Sequence, residues 1–147
     1  MPDFKLGINA GFAINRYPEP EVWTQIVGEE FDLKYVQFVA DLLNPFLPSE
    51  IIKEQIKKIN KYTKKYNINI NTTFTSAFTR VNHLLHPDKK QREVWLEWFK
   101  DFYDISAELG AKASGSHFGI LSMTDCYDEP RKEKLVEEAV AYWQELA

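Results

Sequence analysis

The chain has 147 residues and a formal net charge of −4 at pH 7, from 18 basic and 22 acidic side chains. Because proteins that bind the phosphate backbone usually carry a basic patch, this balance argues against nucleic acid as a partner. The single cysteine, Cys126, excludes an internal disulfide, and no apolar stretch approaches the roughly 20 residues that cross a bilayer. We therefore expect no membrane partner and a cytoplasmic location.

Four segments have the composition of β-strands, and each is followed by a stretch with helical periodicity. In chain order the predicted strands are Phe4–Asn9, Lys34–Ala40, Ile68–Phe74 and Ala111–Phe118. Parallel strands need a crossover connection, usually a helix, so this alternation predicts an α/β fold of four consecutive βα units with parallel strands. The fourth strand is small and polar, and Gly115 within it indicates the close approach of a backbone or a ligand.

The first two predicted helices have distinct inner and outer faces. The first begins near Pro18–Glu21, packs through Trp23 and Val27, and ends at Gly28. The second has Ser49 as its N-cap. Its inner face is formed by three isoleucines, Ile52, Ile56 and Ile59. Its lysines are predicted to form a solvated outer face: Lys53, Lys57, Lys58, Lys61, Lys64 and Lys65.

The last two predicted helices begin at the N-caps Asp88 and Asp128. The third helix ends at Gly110, and its apolar stripe is predicted to contain Val94, Trp98, Phe102, Ile105 and Leu109, widened by Trp95 and Phe99. The stripe of the fourth helix is predicted to contain Leu135, Val136, Ala139, Trp143 and Leu146.

An alternating chain of four βα units is either a small open sheet or half of an eight-stranded (β/α)₈ barrel. A complete barrel takes about 250 residues, and the last helical pattern continues to Leu146–Ala147 without a stop signal. We predict that residues 1–147 form a single N-terminal (βα)₄ half of a (β/α)₈ TIM barrel, without its C-terminal half. Inner strand faces of a half-barrel would expose apolar surface, so the expected partner is the missing C-terminal half or a second copy of the chain.

Polar residues gather where the predicted strands end, which is where parallel α/β folds bind their ligands. The substrate-binding candidates are Asn9, Asp41, Asn71, Arg80, Asn82 and His117. Other polar residues of the same loops are Asn15, Asn44, His83 and Ser116. No position is assigned as catalytic or as a metal ligand.

His117 is the foremost candidate because imidazole can carry a proton or bind a metal, and its Ser-Gly-Ser-His-Phe-Gly context leaves room for a ligand. The alternative is a core histidine held by a hydrogen bond. Arg80 could hold a phosphate or be a solvated loop charge, and His86 and Cys126 are interpreted as structural. The sequence has no glycine-rich nucleotide loop, Gly-x-Ser-x-Gly elbow or His-Glu-x-x-His motif.

Four short motifs, in this order along the chain, resemble those of the xylose isomerase-like TIM barrels. They are Leu6-Gly7-Ile8-Asn9, Val36-Gln37-Phe38-Val39-Ala40-Asp41, Asn82-His83-Leu84-Leu85-His86-Pro87-Asp88 and Gly115-Ser116-His117-Phe118-Gly119. The superfamily contains sugar and sugar-phosphate isomerases and epimerases, together with DNA-repair relatives of the endonuclease IV type. The resemblance covers the whole chain but only the first four βα units of that fold.

The resemblance implies an aldose–ketose isomerisation or an epimerisation of a sugar or sugar phosphate. In that superfamily a divalent metal ion (Mn, Mg, Co or Zn) binds the substrate oxygens, and two glutamates on later strands move a proton through an enediolate. His117 matches a metal-binding histidine of the endonuclease branch, but Asn71 and Thr72 stand where that branch has a second histidine. This departure, together with the excess of acidic residues, argues against DNA repair. It favours His117 as a residue that contacts the substrate or supports a residue that does.

Two functions follow as hypotheses. The favoured one is the N-terminal part of a metal-dependent sugar or sugar-phosphate isomerase or epimerase, whose metal ligands and bases lie on strands beyond this chain. This chain alone would then be inactive and would bind a divalent metal weakly or not at all, because Asp41 and His117 are the only strong donors at its strand ends. The alternative is a non-catalytic α/β module that binds a small anionic ligand or a partner chain.

Overall fold

A computed structural model describes residues 4–147, which form one parallel sheet covered by helices. The strands are β1 (Gly7–Asn9), β2 (Tyr35–Val39), β3 (Asn69–Phe74) and β4 (Ala113–Gly115). The α-helices are α1 (Pro20–Gln25), α2 (Ser49–Lys65), α3 (Lys89–Glu108), α4 (Met123–Cys126) and α5 (Glu129–Leu146). Three 3₁₀ turns, Ala10–Ala13, Ala40–Leu42 and Ser76–Arg80, lie directly beyond or close to the ends of β1, β2 and β3.

The strands pair in their order along the chain, β1-β2-β3-β4, and every pair is parallel. A doubly wound open sheet reverses its strand order at a switch point, whereas a (β/α)₈ barrel adds each strand beside the previous one. The prediction of four βα units arranged as half of a (β/α)₈ barrel is therefore confirmed.

The two edge strands are shorter than predicted. Phe4 and Leu6 lie outside β1 and are 90% and 75% exposed, and β4 is limited to Ala113–Gly115. An edge strand has a neighbour on one side only, and the small residues of β4 have little intrinsic preference for extended structure. The predicted limits Phe4–Asn9 and Ala111–Phe118 are wrong at these ends.

Three predictions about the helices need correction. The first helix does not end at Gly28, because the backbone continues as a π-helical turn over Ile26–Glu30; a Cβ on Gly28 would lie 2.8 Å from the Cβ of Tyr66, so glycine permits close packing there. Ser49 is the first residue of α2 rather than its N-cap, and Pro48 precedes it in an extended conformation. Val94 is 52% exposed, and Leu96 takes its place in the buried stripe.

The other predicted helix ends are confirmed. Asp88 accepts a hydrogen bond from the backbone N–H of Lys90 at 2.8 Å, and Asp128 accepts one from the N–H of Arg131 at 3.2 Å. Gly110 has a φ of +83°, the left-handed conformation that favours glycine at the end of a helix. None of the described helices is long and apolar enough to cross a membrane.

The apolar core lies between the sheet and its helices. One cluster packs strand residues against α1 and α2, and it includes Trp23, Val27, Val36, Phe38, Ile56 and Ile59. A second surrounds α3 and includes Leu96, Trp98, Phe99 and Phe102. The opposite face of the sheet is more polar than predicted for an uncovered half-barrel, because Asn9, Gln37 and Thr72 occupy neighbouring positions on it.

Two buried charged groups fix the loop between β3 and α3 against α5. Arg92 pairs with Glu138 and donates to the carbonyl of His86 at 2.7 Å. Asp125 pairs with Arg131, whose guanidinium also donates to the carbonyl of Pro87 at 3.3 Å. Hydrogen bonds from Ser122 and then Arg131 lower the pKa of Asp125, so its contribution to stability is present at neutral pH and is lost as the pH falls through that lowered pKa.

Candidate functional site

His117 lies just beyond β4, and one of its ring nitrogens forms a hydrogen bond with a buried hydroxyl group. Its Nδ1 is 3.2 Å from Oγ1 of Thr79, a buried residue of the 3₁₀ turn that follows β3. Its ring lies 5.4 Å from the ring of Phe74, the last residue of β3. His117 is half-buried and follows the carboxyl end of β4.

A cluster of hydroxyl groups supports this histidine. Thr75 and Thr79 are fully buried, and their Oγ1 atoms are 2.6 Å apart. Thr75 also donates to Oγ of Ser116 at 2.8 Å, and Ser116 donates to the carbonyl of His117 at 3.1 Å. The backbone N–H of Thr75 donates to the carbonyl of Gly115 at 3.1 Å, which continues the β3–β4 pairing and brings the two loops together. We refer to Thr75, Thr79 and Ser116 as the hydroxyl cluster.

A second polar group crosses β1, β2 and β3 on the sheet face opposite the helices. The N–H of Gly11 donates to Oδ1 of Asn9 at 2.7 Å, which leaves the Asn9 amide to donate to Oε1 of Gln37 at 2.7 Å. The Gln37 amide in turn contacts Oγ1 of Thr72 at 3.4 Å. Each amide oxygen in this row already accepts one hydrogen bond, and the second amide hydrogens of Asn9 and Gln37 and the Thr72 hydroxyl are donors suited to ligand oxygens. Asn71 lines the same cleft of about 310 Å³.

The structure separates the six predicted substrate-binding residues. Asn9 and Asn71 share the cleft on the sheet face, and His117 lies beside the hydroxyl cluster. Asp41 and Arg80 are exposed in the turns after β2 and β3 and make no side-chain hydrogen bond to residues 4–147. The Asn82 amide donates to the carbonyl of Phe78 at 2.9 Å, which closes a turn.

Three other loop residues have local structural contacts. Oδ1 of Asn44 accepts hydrogen bonds from the N–H of Phe46 at 3.0 Å and from the indole of Trp98 at 3.1 Å. Nδ1 of His83 accepts from the N–H of Leu85, and Nδ1 of His86 accepts from the N–H of Asp88. Burial, and then the nearby His86, lower the pKa of His83, so its neutral form is favoured.

The residues described here do not fit the divalent metal that the resemblance implies. Within residues 4–147, no three His, Cys, Asp or Glu side chains come together as a metal site would require. Asp41 follows β2 and His117 follows β4, and β3 lies between these two strands. We therefore derive no step of a reaction through a metal held by this chain.

We expect calorimetric titration of the 147-residue chain with Mn²⁺ or Co²⁺ to show weak binding or none, because too few donors converge. The matched variants are His117→Ala and His86→Ala. Tight one-to-one binding that His117→Ala abolishes and His86→Ala preserves would contradict this expectation, because the site would then be built from this half.

Sequence reasoning missed Gln37, Thr72 and the two buried threonines of the hydroxyl cluster. Gln37 could have been found, since it is the polar residue within the apolar run Val36–Ala40, and alternation places it on the face away from Val36 and Phe38. Thr79 carried no such signal, because its role depends on a 3₁₀ turn that brings it beneath a residue 38 positions later.

Comparisons with known proteins find relatives about twice as long as this chain. It is 29% identical over 142 residues, 97% of its length, to a Brucella abortus (strain 2308) protein named D-erythrulose 1-phosphate 3-epimerase, of which it covers 46%. It is 30% identical to a solved structure from Rhodospirillum rubrum that bears the name "Putative Xylose isomerase", with a TM-score of 0.90 and coverage of 98% of this chain and 49% of that one.

A more distant structure shows the fold alone. The D-psicose 3-epimerase of Clostridium cellulolyticum H10 is 17% identical, with a TM-score of 0.63 and coverage of 97% of this chain and 50% of that one. No protein-family profile matches the chain. The chain therefore spans about half the length of the proteins it matches.

Proposed function

We propose, from the premise that this chain is half of a xylose isomerase-like (β/α)₈ barrel, that it forms part of an enzyme that isomerises or epimerises a sugar or sugar phosphate. The observation that carries the proposal is the similarity, through 97% of the chain, to a protein named D-erythrulose 1-phosphate 3-epimerase. A sugar phosphate is accordingly the preferred substrate class.

The polar groups of this half are suited to binding and orienting a polyhydroxylated ligand. The row that contains Asn9, Gln37 and Thr72 offers donors to ligand oxygens, and His117 stands at the end of β4 where ligands of such barrels bind. Arg80 is exposed in the turn after β3 and is free of side-chain hydrogen bonds within residues 4–147, so we propose it as a contact for the phosphate.

Proton transfer in this superfamily uses carboxylates, and the described part of this chain places none in the cleft. Epimerisation beside a carbonyl removes a proton from one face of the carbon and returns one to the other, through an enediolate. Among residues 4–147, no acidic side chain lies in the cleft formed by Asn9, Gln37 and Thr72. We assign the carboxylate bases, and the divalent ion that the resemblance implies, to the part of the barrel outside this chain.

We expect this chain to form an active enzyme when it is fused to the part of the Brucella abortus epimerase that lies outside the matched region. In D₂O, the fusion should incorporate deuterium at C3 of D-erythrulose 1-phosphate, which NMR detects directly, and the chain alone should not. The control is the same fusion with the relative's own matched half in place of this chain. If that control is active and the folded test fusion exchanges no proton, the proposal is wrong and a non-catalytic binding module is favoured.

A further inference from the structure

The proton count of the hydroxyl cluster determines which nitrogen of His117 carries a hydrogen. Thr75 has one hydroxyl proton, and when it is donated to Ser116 at 2.8 Å, Thr75 is the acceptor in its 2.6 Å contact with Thr79. The single proton of Thr79 then goes to Thr75, or to the carbonyl of Ser76 at 3.4 Å, and in either case Thr79 accepts in its 3.2 Å contact with Nδ1 of His117. Nδ1 must therefore bear the hydrogen, and Nε2 must carry the lone pair.

We infer that Thr79 is a positioning residue that holds neutral His117 in the Nδ1–H tautomer, so that Nε2 accepts a hydrogen bond from a hydroxyl group of the ligand. The two ring nitrogens point in nearly opposite directions. Since Nδ1 points at the buried hydroxyl cluster, Nε2 points away from it, and no residue among 4–147 forms a hydrogen bond with Nε2. The identity of the ligand as a polyol rests on the proposed function. The assignment of the tautomer does not depend on that function.

The other two histidines are fixed in the opposite form. In each, Nδ1 accepts a hydrogen bond from a backbone N–H two residues later: Leu85 donates to His83 at 3.2 Å, and Asp88 donates to His86 at 3.1 Å. A nitrogen that accepts from an N–H carries no hydrogen, so both rings are Nε2–H tautomers when neutral. The chain thus contains two internal references against which His117 is compared.

The hydrogen bonds also explain why Thr75 matters for the tautomer of His117, although it does not touch the ring. Ser116 can donate its proton to the carbonyl of His117 at 3.1 Å or to Oγ1 of Thr79 at 3.3 Å, and neither choice supplies a proton to Nδ1 of His117. Thr75 is therefore the group that sets the direction of the chain of hydrogen bonds. Without the Thr75 hydroxyl, Thr79 loses its 2.6 Å acceptor, and we expect its proton to go to Nδ1 at 3.2 Å in preference to the Ser76 carbonyl at 3.4 Å, which reverses the tautomer of His117.

The test is a two-bond ¹H–¹⁵N correlation spectrum of the ¹⁵N-labelled 147-residue chain at about pH 8.5, where histidines of ordinary pKa are neutral. This experiment distinguishes a protonated ring nitrogen from one with a lone pair, and His117→Asn assigns the His117 signals. We expect two Nε2–H histidines and one Nδ1–H histidine, with His117 as the exception. A wild-type spectrum in which His117 is the Nε2–H tautomer overturns the inference.

Two matched pairs of variants separate positioning from packing. Thr79→Ser keeps the hydroxyl and should preserve the Nδ1–H signature, whereas Thr79→Val should lose it. Thr75→Val should shift His117 towards Nε2–H, and Thr75→Ser should not. An unchanged His117 spectrum in Thr79→Val or Thr75→Val, with His83 and His86 still in their native form, counts against the inference. Failure of the fusion to exchange deuterium, with the tautomers as expected, counts against the proposed function alone.

Discussion

Replacing Trp98 with alanine is expected to lower the free energy of unfolding by about 4 kcal/mol, the typical cost of removing a fully buried tryptophan. Trp98 is 1% exposed and lies at the centre of the aromatic cluster around α3. Its ring stacks on Phe102 at 5.5 Å and contacts Phe78 at 5.0 Å, and its indole N–H donates to Asn44 at 3.1 Å. The substitution would leave a cavity and release the loop after β2.

Chemical denaturation with circular dichroism measures this change, and Val94→Ala is the matched control. Val94 lies one turn earlier on α3 and is 52% exposed, so its truncation should change the free energy of unfolding by less than about 0.5 kcal/mol. A Val94→Ala cost as large as that of Trp98→Ala would mean that the stripe predicted from sequence, rather than the one in the structure, faces the core.

Replacing Arg92 with methionine is expected to cost about 3 kcal/mol, at the lower end of the range for breaking a buried ion pair. The Arg92 side chain is 4% exposed, and its loss leaves Glu138 without its cation and the His86 carbonyl without its donor. The cost is placed at the lower end because the Glu138 side chain is 30% exposed and can recover some hydration, and because the Arg92 Nε is itself buried without a partner.

Lys100→Met is the control for this ion pair. Lys100 contacts both Glu97 and Glu145, yet its side chain is 39% exposed and its charges are screened by solvent, so its replacement should cost much less than that of Arg92. Denaturation in parallel compares the two variants, and the double variant Arg92→Met/Glu138→Leu should recover part of the loss. Equal costs for Arg92→Met and Lys100→Met would show that burial of the first pair does not matter.

The sequence predicted the architecture because its signals are local and repeated. Asp88, Gly110 and Asp128 mark helix ends through their own backbone conformations and hydrogen bonds, which a pattern of residue types reflects well. Periodicity placed most of the apolar stripe of α3, but it could not distinguish Val94 from Leu96. Both are apolar, and the choice between them depends on how α3 packs against its neighbours.

The candidate site was less predictable because it depends on contacts between distant parts of the chain. Asn9 and Asn71 were predicted at the ends of strands; Asn9 does end β1, whereas Asn71 lies inside β3, and both line one cleft. The bulge in the β2–β3 pairing, between Val36 and Gln37, determines which residue of β3 lies opposite Gln37. No residue type at these positions predicts the bulge. The contact between Thr79 and His117 likewise appears only once β3 and β4 are paired.

The strictly consecutive strand order also has a consequence for how the chain acquires its structure. Gly7 pairs with Tyr35, Tyr35 with Asn69, and Thr72 with Ala113, so each pairing closes a segment of about 30 to 40 residues. Each strand pairs only with its neighbours along the chain, so no pairing waits for a distant strand, although parallel pairing is slower than the local contacts of a helical bundle. During synthesis, every βα unit can therefore dock on the preceding one, and among the described elements β4 and α5 are the last to be added.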